Sequence, residues 1–162
     1  MQTSIPRTLI ASMYVVALAG LAAGCASTKS GAAKEVDITL AAVSAPARAT
    51  IEKETSGGRV DRITQEIERG KTVYDVEATV GGRHMEYLVA DANGELLGTE
   101  VPAEFNTLPQ PVQDAAQKYF GTTTGLTVMK GVEYGETHYE IEGMKNGKKA
   151  EVTFEPDGKQ EK

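Results

Sequence analysis

Glu77 and Glu86 lie four residues before and four residues after the dipeptide Gly81-Gly82, and Glu142 and Glu151 stand in the same relation to Asn146-Gly147. Both dipeptides suit a two-residue hairpin turn that needs positive φ, and such a turn sets residues equidistant from it directly opposite each other. Like charges opposed in this way cost stability. They are also hard oxygen ligands for a cation, and they attract Lys and Arg side chains. Strand alternation puts Asp75, Glu140 and His138 on the same side as the two pairs. The candidate binding face is therefore Asp75, Glu77, Glu86, His138, Glu140, Glu142 and Glu151. Arg62 is expected across from Glu77, whereas its counterpart in the second set is Thr127, which leaves Glu142 and Glu151 less compensated. The plainer reading of the same residues is a solvated strand face, its repulsion spread by water, salt and Lys149, that guards against edge aggregation.

No other group of residues suggests chemistry. There is no Ser/His/Asp order, phosphate-binding glycine loop or activated cysteine, so no catalytic residue, cofactor or enzyme activity is expected. Asp91-Ala92-Asn93-Gly94-Glu95 has the opening spacing of a calcium loop, but Pro102 stands where the twelfth-position acid belongs. That segment and Glu155-Pro156-Asp157-Gly158 read as hairpin turns. His84 and His138 occupy unmatched places with no Cys or second His nearby, which argues against a zinc site.

The elements that must position the acidic pairs come from an internal duplication. Residues 46–86 slide onto 111–151 without a gap, keeping Pro46, Lys53, Glu68, Gly70, Thr72, Tyr74, Glu77, Gly82 and Glu86. Each unit opens with a proline-bearing helix start, with Ser44 and Thr107 as caps, and its helix stops near Gly57 or Gly121. Strands are expected over 61–67, 72–80, 84–90 and 95–98, then over 126–132, 137–145 and 148–155. Register about the turns pairs Tyr74 with Val89, Val76 with Tyr87, Tyr139 with Phe154 and Ile141 with Val152 on one apolar face. The expected fold is α+β, two tandem repeats (38–100 and 101–162), each a helix packed on an antiparallel sheet of three to four strands.

The N-terminal segment reads differently. Residues 1–24 carry one charge, Arg7, ahead of an apolar run from Leu9 to Leu21, as in a secretory signal. Leu21-Ala22-Ala23-Gly24-Cys25 is similar to a bacterial lipobox, although its large aliphatic residue lies four places before the cysteine instead of three. Lipidation at Cys25, followed by a tether over 25–37, is the reading preferred over ordinary cleavage with Cys25 left as a free thiol. Ala26 then points to the periplasmic face of the outer membrane. Without residues 1–24 the chain holds 16 Lys and Arg against 23 Asp and Glu, a net charge of −7. So acidic a domain is a poor nucleic-acid binder. Its one cysteine leaves no internal disulfide.

Leu108-Pro109-Gln110-Pro111-Val112 opening a helix, the strands Tyr74-Asp75-Val76-Glu77 and Tyr139-Glu140-Ile141-Glu142, and the glycine-bearing turns that follow resemble the PepSY-like domains, also described as β-lactamase-inhibitor-like. The likeness covers about residues 38–162 in two copies. It implies helices packed on antiparallel sheets that can run together and leave a concave face for a partner, and related modules restrain secreted peptidases or mediate envelope contacts. The function expected is thus a non-enzymatic envelope lipoprotein that binds another protein, a secreted or envelope peptidase among the partner classes. A small cation-binding protein and a structural envelope protein are the alternatives.

Overall fold

The computed structural model describes residues 35–161. The expected signal, most of the tether and the lipidation site Cys25 lie outside them. Eight strands are joined in chain order into one antiparallel sheet: β1 (Val36–Asp37), β2 (Arg59–Glu68), β3 (Lys71–Val80), β4 (Arg83–Ala90), β5 (Leu96–Pro102), β6 (Thr127–Glu133), β7 (Glu136–Lys145) and β8 (Lys148–Phe154). Two helices, α1 (Ala45–Glu54) and α2 (Gln110–Phe120), interrupt the meander. None of the described helices is long and apolar enough to cross a membrane.

Four hairpins turn on two residues that both have positive φ: Arg69-Gly70, Gly81-Gly82, Tyr134-Gly135 and Asn146-Gly147. This geometry matches the right-handed twist of the flanking strands. It sets the expected register, with Tyr74 opposite Val89, Val76 opposite Tyr87, Tyr139 opposite Phe154 and Ile141 opposite Val152. The capping expectation does not hold. Ser44 Oγ donates to the Asp91 carbonyl oxygen at 2.7 Å instead of capping α1, Thr107 Oγ1 donates to Glu104, and Pro109 occupies the start of α2.

The fold differs from two repeats that each own a sheet. β5 does not stop at residue 98; it runs on to Pro102 and pairs with β6 from Gly98 opposite Glu133 to Pro102 opposite Met129. A strand left at the edge would carry a row of unsatisfied N–H and C=O groups, and the ladder to β6 satisfies them. The boundary expected at residue 100 therefore falls inside a strand, and the sheet is continuous across it.

One face of this sheet carries the core, in two clusters. Val43, Ala47 and Ile51 pack on Ile63, Tyr74, Val76, Tyr87 and Val89. Leu108, Val112, Ala116 and Phe120 pack on Val128, Tyr139, Ile141, Val152 and Phe154. Ladder parity carries Tyr87 through Thr99 and Val132 to Thr137, so both helices cover the same side. Among the described residues, no helix lies over the opposite side.

That uncovered side is concave. Between β2 and β6 lie β3, β4 and β5, a separation of about 19 Å in a flat sheet. Yet Tyr134 Oη, at the β6–β7 turn, donates to Glu68 Oε2 at the end of β2 at 3.0 Å, and the Arg69 guanidinium stacks 3.8 Å over the Tyr134 ring. The sheet curls until its two equivalent turns touch. Curling explains why Glu66, Glu68, Glu77, Glu100 and His138 are buried on a face that no helix covers.

Candidate functional site: a concave acidic face

The inner face is organised by a single row of laterally paired residues, Arg62, Glu77, Glu86, Glu100, Gly131 and His138, running from β2 to β7. Each is held there by the alternation that puts its apolar neighbours under the helices. Glu77 stands opposite Glu86 and Glu142 opposite Glu151, as the turn spacing requires. Arg62 reaches Glu77 at 3.3 Å and Asp37 at 2.7 Å. His84 Nε2 lies 2.9 Å from Glu86, and His138 Nε2 lies 2.9 Å from Glu100. In the second copy Glu142 faces Thr127, so no cation stands where Arg62 stands in the first.

A cavity of about 260 Å³ opens in this face, with Glu77, His84 and Glu86 on one wall and Thr127, Met129, Glu140 and Glu142 on the other. Crowding of carboxylates there has a chemical consequence. Burial, followed by the charges of Glu100, Glu151, Glu86 and Glu142, pushes the Glu140 carboxyl up to about 10. Burial and then Glu142, Glu86 and Glu100 raise Glu151 to about 7. Asp75 is held well above the usual carboxylate range, by burial first and then by Glu86, Glu66, Glu77 and Glu100. Burial and Glu100 raise Glu86, against the opposing effect of its bond to His84. At neutral pH Glu140 keeps a proton that an ordinary carboxylate releases.

All seven residues expected from the sequence lie on this face, in three groups. Glu77, Glu86, Glu140 and Glu142 line the large cavity. Glu140, Glu142 and Glu151 place one oxygen each within 4.8 Å of the others. Asp75 belongs instead to a smaller recess with Glu86, Glu100 and Glu133, and His138 is buried against Glu100. Sequence reasoning missed Glu66, Glu68, Glu100 and Glu133. Glu68 and Glu133 are a matched pair of the repeat and could have been found by it, since alternation from the turn puts them on the acidic side. Glu100 gave no signal while its strand was expected to end at residue 98.

Among known proteins, the chain matches no family model and no curated protein. The likeness to PepSY-like domains rests on its motif residues alone.

Proposed function

We propose that this protein is a non-enzymatic binding module of the bacterial envelope, tethered through lipid on Cys25, whose concave face takes a Lys- or Arg-bearing segment of another envelope or secreted protein. A peptidase is the partner class that the PepSY-like resemblance suggests. One observation supports this reading above others: carboxylates from β4, β5, β7 and β8 crowd a single hollow face and raise Glu140 and Glu151, and cations brought from outside relieve that repulsion. Attraction of this kind steers association and weakens with salt.

The test uses a fluorescent Lys/Arg-rich peptide and the full chain, with binding followed by anisotropy at rising ionic strength. Binding that weakens steeply with salt, and by about tenfold or more in a Glu77/Glu142/Glu151→Gln variant, supports the reading. Equal binding by both proteins overturns it. Capture from native envelope with the same pair then identifies the partner.

A further inference from the structure

We infer that His138, Glu100 and Glu133 form a binding site for a single divalent transition-metal ion of the zinc class, built where β5, β6 and β7 meet. This goes beyond the docking role of the wider acidic face: it shares His138 with that face and rests on Glu100 and Glu133 besides.

Two glycines make the site. Gly131 lies between Glu100 and His138 in the lateral row. A Cβ at residue 131 would stand 2.0 Å from His138 Nε2 and 2.3 Å from its Cε1, so the imidazole lies directly across β6 in the space that glycine leaves. From there it reaches Glu100 Oε1 at 2.9 Å. One row over, Gly98 lies opposite Glu133, and a Cβ at residue 98 would stand 2.6 Å from Glu133 Cγ. Glu133 thus folds across β5 as His138 folds across β6. The first repeat shows what these positions hold otherwise: Gly131 and His138 correspond to Glu66 and Val73, which are also cross-strand partners.

The convergence is close and enclosed. One donor atom from each of Glu100, Glu133 and His138 lies within 4.8 Å of the other two. Ligands sharing a tetrahedral zinc at about 2.1 Å stand about 3.4 Å apart, so modest side-chain rotation closes the set. His138 is 4% exposed and Glu100 8%. Among the described residues, His138 Nδ1 and Glu100 Oε2 are buried without a hydrogen-bond partner, although buried polar atoms of this kind are normally satisfied. Glu100 and Glu133 also line a recess of about 10 Å³ with Asp75, Glu86 and Gly98, the volume of one water or ion.

Ligand chemistry selects the ion. One imidazole with carboxylates suits zinc, cobalt or nickel, whereas calcium and magnesium take oxygen alone and copper(I) takes thiolate or thioether. With three protein ligands the coordination sphere would keep a place for water, and Asp75 and Glu86 line the same recess as Glu100 and Glu133.

The test is calorimetric titration of the full chain, carrying Cys25→Ser so that no thiol competes, with ZnCl2, CoCl2 and CaCl2. The expected result is one zinc per chain, binding far tighter than calcium, weakened about 10- to 100-fold by His138→Gln and by Glu133→Gln. A Glu142→Gln/Glu151→Gln double variant is expected to leave zinc affinity unchanged, and bound cobalt to show a visible absorption band that His138→Gln removes. No zinc binding by the folded wild type, equal binding by both ligand variants, or loss of binding in the Glu142/Glu151 variant overturns the site. If His138→Gln does not fold by circular dichroism, Glu133→Gln decides. Failure of peptide binding leaves this result untouched, so the two readings fail separately.

Discussion

Tyr134 Oη donates to Glu68 Oε2 at 3.0 Å, and this bond joins the β6–β7 turn to the end of β2 across three intervening strands. It holds the curl that makes the acidic face a hollow. Tyr134→Phe removes the donor and keeps the ring under Arg69. The expected cost is about 1–2 kcal/mol in urea unfolding, because the buried Glu68 loses a hydrogen bond to a charged group. An unchanged midpoint would mean that strand twist alone holds the curl.

Stability should fall as pH rises through the range in which Glu66 ionises. Burial, then the charges of Glu35 and Glu68, raise its carboxyl from an ordinary 4.5 to about 7. Between those values the unfolded chain has released the proton and the folded chain still holds it, so this contribution is complete below pH 4.5 and lost above pH 7. Glu66→Gln imitates the protonated form. It should be more stable than wild type at pH 8, on the order of 2 kcal/mol, and indistinguishable from it at pH 4. Parallel curves for the two proteins would count against this account.

Gly147 at the β7–β8 turn has φ of 75°, and a Cβ there would meet nothing within 4 Å. Gly147→Val therefore tests backbone conformation without a clash. About 1–2 kcal/mol of destabilisation is expected, since a β-branched residue tolerates this region badly. A melting temperature equal to wild type would refute the positive-φ turn.

Tyr139 lies under α2 with Ile141, Val152 and Phe154. Tyr139→Ala should cost on the order of 3 kcal/mol or more in equilibrium unfolding, as large aromatic truncations in a core do. A loss below about 0.5 kcal/mol would place this residue on the wrong face.

Much of this arrangement was legible because it depends on local rules. Gly81-Gly82 and Asn146-Gly147 announce turns, and once they are placed, alternation assigns Glu77, Glu86, Glu142 and Glu151 to one face without further information. The union of the two halves into one sheet was not legible in the residues themselves. It depends on β5 continuing through Glu100 and Val101 to Pro102, and a proline two residues past the expected unit boundary reads as a terminator, although in the sheet it ends the strand opposite Met129. The residues themselves hid the curl for a similar reason. Tyr134 and Glu68 are far apart in sequence, and no periodicity connects a turn residue to a strand four places away in the sheet. His138 looked isolated because its partners come from other strands, and because the signal that admits it is a missing side chain at Gly131.

The seam between β5 and β6 gives the chain a property that neither half has. Glu100 sits on β5, which pairs with β4 of the first copy as well as with β6 of the second, and Glu133 and His138 belong to the second, so their meeting place depends on the junction in the way that a site at a subunit interface depends on both subunits. Here the subunits are covalently joined and share one sheet, so no dissociation equilibrium governs assembly and dilution cannot separate the contributors. Each copy is also free of the symmetry that two identical chains impose. That freedom is visible in the chain itself, where one copy keeps Glu66 beside Val73 and the other has Gly131 beside His138.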